Sequence, residues 1–520
     1  MKHFVYVKDK KIYDQNNQEL LLQGVGLGGW MLPEGYMWGS HGYYERPRRF
    51  EELISYYMGD KATEWWKTYY KTWISDDDFT LIKQHGYNSV RLPIDYRLLM
   101  EENDTDTSVV LKEFGFDMID YTIAQCKKNQ LYLILDMHGA PGGQTGANID
   151  DSKDDYPHLY EQKIYQDQLI QLWEEIARRY KNETTICMYD LINEPIPEKF
   201  NHLNQYLEPL HDALIKAIRA IDPNHIICVE GNNWASDFST ITRKLAENTV
   251  LHFHKYWNPP SIEQIQRFLD KREELNIPLF MGEGGENDLY WYSSNFKMYE
   301  QLDIGWNFWA YKKRNNHNSI ISFNLPNGWN RILDPKHPLP IEEGRKLLNT
   351  FLENIQFKNC NINLDVTNHL FYKDDFFTTG GLYDYLGSGK SFYVTRKHNG
   401  STIRNNDQTN ICDKQGNTFH GVWGCHNEEQ QKQELFPYVK VNSGDFYNYT
   451  FRTTFRKTYH IFITHSNLEG SFLINQNLMN VERVKEGYVI HFYATQEVNV
   501  LTIKPSNQGI ILKIEIKSQE

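Results

Sequence analysis

No stretch of this chain approaches the ~18 consecutive apolar residues that a membrane-spanning helix needs, so no transmembrane segment is expected. The N-terminus, Met1-Lys-His-Phe-Val-Tyr-Val-Lys-Asp-Lys10, lacks the apolar core and cleavage site of a secretory signal. Read literally it is the start of a cytoplasmic protein; a secreted one whose signal had been removed would look the same. Excess positive charge is also missing, since 55 Lys and Arg face 68 Asp and Glu for a net charge of −13. A nucleic-acid backbone or an anionic membrane is therefore not expected as the main partner. Cysteine is scarce. Six residues, Cys126, Cys187, Cys228, Cys360, Cys412 and Cys425, include no C-x-x-C pair, which argues against a zinc ribbon or a thioredoxin-type site. Cys126, Cys187 and Cys228 sit in apolar segments and read as reduced core residues; Cys412 and Cys425 are near enough in sequence to be bridged, and spacing leaves that open. No phosphate loop or dinucleotide fingerprint follows a strand. Gly24-x-Gly26-x-Gly28-Gly29 leads into Trp30 and Pro33 rather than into a helix, so it reads as close backbone packing, and no cofactor is expected. Internal repeats, low-complexity tracts and a Pro- or Ser-rich linker are absent.

Aromatic residues are plentiful, at 14% with 34 Tyr and 13 Trp. Such rings serve either as bulky core or as platforms for the apolar faces of sugars. A chain of 520 residues exceeds one ordinary core, which stops growing near ~250–300 residues, so two domains are expected. Residues 1–20 read as a hairpin turning near Gln15-Asn16-Asn17. Strand-like runs follow at Leu21–Leu27, Tyr87–Leu92, Leu131–Met137, Ile186–Ile192, His225–Glu230, Thr249–His254, Pro278–Gly282 and Ile304–Trp309. Amphipathic stretches lie between them, among them Phe116–Lys128, Tyr165–Tyr180, Leu203–Ala220 and Ser261–Glu274, and Ile341–Phe351 closes the series. Alternation of this kind specifies parallel β/α units, and eight is the number that closes a (β/α)8 barrel. From about Ile355 helical periodicity gives way to short alternating segments such as Tyr459–Thr464, Tyr488–Ala494, Val498–Lys504 and Ile510–Ile516. These are separated by turn signals at Asn399-Gly400, Asn442-Ser443-Gly444 and Glu469-Gly470. The expected architecture is a catalytic TIM barrel over residues 1–354 and an all-β, jelly-roll-like sandwich over 355–520.

In such a barrel reactive groups collect where strands end. The strand ends carry Glu34 and Tyr36 after the first, Arg91 on the second, His138 on the third, Asn193-Glu194-Pro195 after the fourth, His252, His254 and Tyr256 on and after the sixth, Glu283 on the seventh and Trp309 on the eighth. Glu194 and Glu283 are the informative pair. Two carboxyl groups facing each other across a barrel mouth are what glycosidic cleavage requires, one to protonate the leaving oxygen and one to attack or to activate water.

The ordered set Asn88-Ser-Val-Arg91-Leu-Pro, Asp136-x-His138, Asn193-Glu194-Pro195, His254-x-Tyr256, Gly282-Glu283 and Trp309 resembles glycoside hydrolase family 5, the cellulase A family, over roughly residues 20–350. Gly28-Gly-Trp30-x-x-x-Glu34-x-Tyr36 and His138-Gly-Ala-Pro-Gly-Gly-Gln144-Thr-Gly146 resemble its exo-β-1,3-glucanase and β-glucosidase branch. The chain departs from that branch in the segment after strand six and in Gly284-Gly285, where an aromatic residue is common. The resemblance implies a (β/α)8 barrel and a retaining hydrolase of β-glucosides or short β-glucans, acting from the non-reducing end on a carbohydrate substrate. Glu194 is then the general acid/base and Glu283 the nucleophile, with the carboxyl groups ~5–5.5 Å apart. Arg91 and Tyr256 hold Glu283, Asn193 meets the sugar 2-hydroxyl, His138 and His254 bind hydroxyls or orient the carboxylates, Trp309 floors the cleavage subsite, and Glu34 with Tyr36 closes the pocket on a terminal sugar. An endo-β-glucanase or β-mannanase on the same barrel, and a non-catalytic sugar-binding protein, are the alternatives. His252 and Trp306 read as packing or supporting residues, Glu286 as a loop residue and Glu230 as a lesser site candidate. His138, His252 and His254 lack an Asp at the last strand end to complete a metal set, so no metal is expected. In the C-terminal region the pattern resembles carbohydrate-binding-module jelly rolls of families 6 and 35, with Trp423, Tyr438 and Phe446 available to stack on sugar; buttressing the barrel is the competing reading.

Overall fold

A computed structural model describes residues 4–421 and 436–519. Eight strands form a closed barrel: β1 (Gln23–Gly26), β2 (Ser89–Asp95), β3 (Tyr132–Gly139), β4 (Ile186–Asp190), β5 (Ile226–Glu230), β6 (Thr249–His254), β7 (Leu279–Gly285) and β8 (Gly305–Trp309). Pairing runs in parallel from β8 to β1 and onward through β7. Each strand falls on one of the expected runs. Their residues are buried on both faces almost throughout, as parallel strands sheathed by helices are.

The N-terminal hairpin pairs Tyr6–Lys8 with Lys11–Tyr13 and turns at Asp9-Lys10, earlier than expected. The stretch around Gln15-Asn16-Asn17 forms a second turn, closed by Asp14, whose carboxylate accepts the N–H groups of Asn16 and Gln18. Val5 and Ile12 of the hairpin share one buried cluster with Leu22, just before β1, and with Ile134, Met188, Ile226, Val250 and Phe280 from the barrel strands. Many of the aromatic rings prove to be core. Trp38 alone packs on Phe50, Trp65, Trp66, Tyr69, Trp73 and Phe351. Trp306 is buried edge-on to Tyr87, as expected of a packing residue.

The chain divides into two compact units. The first comprises the chain through Lys255, Phe268–Gly284 and Gly305–Ile362; the second comprises Tyr256–Arg267, Gly285–Ile304 and everything from Asn363. The second unit contains two antiparallel sheets. One is built around Gly509–Ser518, Thr458–Ser466 and Gly487–Tyr493, the other around Phe446–Arg452, Val498–Pro505 and Gly470–Ile474. Phe451 against Phe492 and Phe472 against Tyr488 join the two sheets. Among the rings proposed for sugar stacking, Tyr438 is core (8% exposed), Phe446 is half-buried beside exposed Tyr393, and Trp423 lies outside the described residues, as does Cys425. Arg404 is buried here, its guanidinium 3.4 Å from the Tyr383 ring centroid and 4.2 Å from that of Tyr385. No helix among the described residues is long and apolar enough to cross a membrane.

Candidate active site

Arg91 organises the barrel mouth. It is fully buried on β2 and donates to Glu283 Oε2 at 2.7 Å, Asn193 Oδ1 at 2.7 Å and Asp190 Oδ2 at 3.0 Å, with Glu230 Oε1 at 3.3 Å and Asp136 Oδ2 at 3.2 Å. A guanidinium has five fixed donors and never deprotonates, so it can serve several strands at once. The register of β6 on β7 shifts between Phe253 and His254, and the shift sets His254 directly opposite Glu283. A bulge of this kind re-aims the side chain at a strand end. His254 Nδ1 then lies 2.8 Å from Glu194 Oε1 and 3.9 Å from Glu283 Oε1. One carboxylate oxygen of Glu194, one of Glu283 and a ring nitrogen of His254 all fall within 4.8 Å of one another.

The turn after β4 takes backbone shapes that side chains resist, with φ of 48° at Glu194 and 46° at Ile196. Neighbouring loops impose it. Gln144 Nε2 donates to the carbonyls of His138 and Asn193 at 2.6 and 3.0 Å, tying the loop after β3 to the one after β4. Gln144 is itself set by Asp150, which accepts the N–H groups of Gln144 and Thr145. From the loop after β5, Asn233 N–H reaches the Ile196 carbonyl at 2.8 Å, and Glu230 Oε2 accepts the Glu194 N–H at 2.6 Å.

His138 Nδ1 bonds Asp136 Oδ2 at 2.7 Å, and its ring lies parallel to Trp309 at 5.5 Å. Asn193 Nδ2 stands 3.4 Å from His138 Nε2. Trp309 Nε1 donates to the Tyr36 hydroxyl at 2.8 Å, so Tyr36 and Trp309 are held as a pair, and Glu34 is buried beside the short helix Gly35–Trp38. Of the residues expected in the site, Arg91, His138, Asn193, Glu194, His254, Glu283, Trp309 and Tyr36 are thus linked by contacts within the first unit. Tyr256 belongs to the second unit, where its ring lies 5.4 Å from that of Trp257. Glu286 is half-buried with a φ of 53°.

Three groups outweigh their place in the sequence reading. Glu230 is fully buried at the centre of the network, and Asp136 and Asp190, buried acids within apolar strands, flank Arg91. An acid inside a strand that is otherwise apolar is itself a signal, since burial demands a cationic partner. His252 is the supporting residue it was expected to be. Its Nε2 is 3.0 Å from His254 Nε2, and its Nδ1 lies 3.0 Å from Asp190 and 3.1 Å from Glu230, off the best hydrogen-bonding direction.

Charge is distributed unevenly among these groups. Burial raises Asp136 and Glu194, with the Glu283 charge adding to Glu194 and His254 opposing it. Burial pushes Glu230 up to about 8, and His252 down to about 4. Burial opposes the charge on Asp190 and on His254 too, but it is outweighed. His252 and Arg91 hold Asp190 below the usual carboxylate range, while Glu230, Glu283 and Glu194 hold His254 well above the usual imidazole range. A mouth with two cations, Arg91 and His254, therefore keeps protons on some of its five carboxyl groups. Glu230 with His252 and His254, and Asp190 with Cys228 and His252, also bring three possible metal ligands together. These sets share His252, and Arg91 already stands between their carboxylates, so they describe one ion-paired network rather than separate metal sites.

Known proteins similar to this chain include glycosidases and glucanases. A beta-xylosidase of Phanerodontia chrysosporium is 34% identical over 255 residues, which are 49% of this chain and 52% of the relative. The chain thus spans about half the length of that relative. Endoglucanase C of Acetivibrio thermocellus is 26% identical over 309 residues (48% of this chain, 86% of the relative), and glucan 1,3-beta-glucosidase I/II of Saccharomyces cerevisiae is 26% identical over 312 residues (55% and 66%). The family model described as cellulase (glycosyl hydrolase family 5) matches residues 55–315, a span that runs from before β2 to beyond β8 and takes in both glutamates. The chain belongs to glycosyl hydrolase family 5.

Proposed function

We propose that this protein is a retaining β-glycoside hydrolase that cleaves β-glucosides or short β-glucans from the non-reducing end. The observation that carries the reading is the approach of Glu194 and Glu283 to within 4.8 Å, with His254 beside both. Nearest oxygens this close fit the ~5–5.5 Å carboxyl separation of retaining enzymes better than the ~6.5–9.5 Å that leaves room for a water in inverting ones. Glu283, gripped by Arg91, attacks the anomeric carbon. Glu194, whose proton is favoured by burial, protonates the departing oxygen, then takes a proton from the water that releases the sugar. As Glu194 loses its proton, charge develops 2.8 Å from His254, which stabilises it. Asn193, turned by Arg91 and His138, faces the 2-hydroxyl, and Trp309 supports the sugar face.

The exo reading draws on Glu34, Tyr36 and the glucan 1,3-beta-glucosidase relative. Endoglucanase C and the beta-xylosidase support two neighbouring readings, internal cleavage of a β-glucan and action on β-xylosides. A screen over aryl β-glucosides, β-xylosides, β-mannosides and β-linked oligosaccharides, with product lengths recorded, separates them. Single sugars released in succession from β-glucans support the proposal. Mixed longer products turn it to the endo reading, and tight sugar binding without any turnover sinks it.

A further inference from the structure

Glu230 bonds the backbone of Glu194 directly and lies against the two cations that meet the side chains of Glu194 and Glu283. It is fully buried at the end of β5. Its Oε2 accepts the backbone N–H of Glu194 at 2.6 Å. Its Oε1 lies 3.3 Å from the Arg91 guanidinium, 3.1 Å from His252 Nδ1 and 3.5 Å from His254 Nε2. Arg91 is the cation that grips Glu283, and His254 is the one that meets the Glu194 carboxyl. Glu194 also needs holding. A left-handed φ of 48° is sparsely populated for a glutamate and persists only where surrounding bonds impose it.

The hydrogen between the two histidines reinforces the point. With the Nε2 atoms of His252 and His254 only 3.0 Å apart, one of the two carries a hydrogen and the other accepts it. If His254 carries it, neutral His252 has its N–H on Nδ1, on the side of Asp190 and Glu230, and charged His254 keeps a second N–H for Glu194. If His252 carries it, neutral His252 presents a bare Nδ1 lone pair to the ionised Asp190 carboxylate 3.0 Å away. Asp190 therefore favours the arrangement in which His254 is a donor to the acid/base, and His254 in turn lies 3.5 Å from Glu230.

We propose that Glu230 is a positioning residue for the general acid/base, fixing the Glu194 peptide directly and, through Arg91 and His254, its distance from Glu283. The proposal rests on the reading of Glu194 as acid/base. The groups that face Glu230 are Arg91 from β2, Asp190 from β4, and His252 and His254 from β6; Asp136 on β3 and Glu283 on β7 join them through Arg91.

The test compares phenyl β-glucoside, whose poor leaving group needs protonation, with dinitrophenyl β-glucoside, which needs little. Glu230→Ala is expected to lower kcat/KM about 100-fold on the first and less than about 10-fold on the second, since misplacing a catalytic group by ~1 Å costs that much. Glu230→Gln keeps an acceptor for the Glu194 N–H and is expected to restore most of the loss on the phenyl substrate. Glu230→Asp, which retracts the acceptor, supplies the same comparison should the alanine variant not fold. Glu194→Ala is run in parallel. Equal losses on both substrates in the Glu230 variants, with Glu194→Ala still selective, overturn the proposal alone. Absence of selectivity in Glu194→Ala overturns the acid/base reading and this proposal with it.

Discussion

Under the proposed assignment Glu283 and Glu194 sit under opposite demands, and each has neighbours that match its task. Arg91 donates to Glu283 at 2.7 Å, which favours the ionised form a nucleophile needs. The Glu194 carboxyl, paired with His254 and desolvated, is pushed toward the protonated form a general acid must carry. Replacing the proposed nucleophile tests the division of labour. Glu283→Gly is expected to lose turnover almost completely, and added azide is expected to restore it with an α-configured glycosyl azide, because the small anion fills the vacated face. A β-configured azide identifies Glu283 as the acid/base and reverses the assignment. At this scale the sequence was most legible for residues at strand ends, where motif and barrel logic coincide. It was least legible for Glu230, Asp136, Asp190 and Gln144. Their roles lie in holding other side chains, and nothing in their local sequence records partners such as Glu194 for Glu230, 36 residues away, Asn193 for Gln144, 49 residues away, or Arg91 for Asp190, 99 residues away.

Among the elements, β6 and β7 do the most to shape the mouth, and they leave little tolerance for added bulk. A Cβ on Gly282 would stand 1.9 Å from His252 Nε2, where real Cβ atoms do not come. Gly282→Ala is therefore expected to push His252 off His254, costing about 1–3 kcal/mol from overpacking and about 100-fold in kcat/KM. Thermal melting and steady-state kinetics read the two effects separately, and near-wild-type values for both would contradict the packing described. Where β1 meets β8, a Cβ on Gly26 would meet the Trp309 ring at 2.5 Å, so the glycine-rich run on β1 serves close packing, as its sequence context implied. Strands were easy to place because buried parallel strands are short, uniformly apolar runs. The helix Leu289–Gln301 escaped notice for the converse reason. Its residues from Trp291 to Tyr299 are all buried, which erases the one-sided stripe by which surface helices are recognised.

For the whole molecule, the ionisation of the barrel mouth links activity to stability. Glu230 is raised from 4.5 to about 8, so the native state keeps a proton that the unfolded chain releases. Its contribution is fully present below pH 4.5 and is lost as pH rises through about 8. His254, raised above 6.5, acts in the same direction. Asp190, lowered, contributes above its ordinary 3.8 and loses that only as pH falls. Buried His211, His252 and His369, each pushed down to about 4, act the other way below about pH 6.5, so the melting temperature is expected to decline from about pH 6.5 to about pH 9. The decline should be shallower in Glu230→Gln, and the same slope in both proteins would show that Glu230 does not carry this proton. At this scale the two-part architecture was legible from the change of periodicity near Ile355. The composition of the units was not, because segments 256–267 and 285–304 join the second unit through contacts made far along the chain.

The pairing of Glu194 with Glu283 is tested most directly by following hydrolysis of an aryl β-glucoside by proton NMR and recording which anomer of the sugar forms first. Two displacements between carboxyl groups this close predict β-glucose first, with α-glucose appearing only as the free sugar equilibrates. α-Glucose as the first product would mean that water attacks directly, and the double-displacement account would not stand.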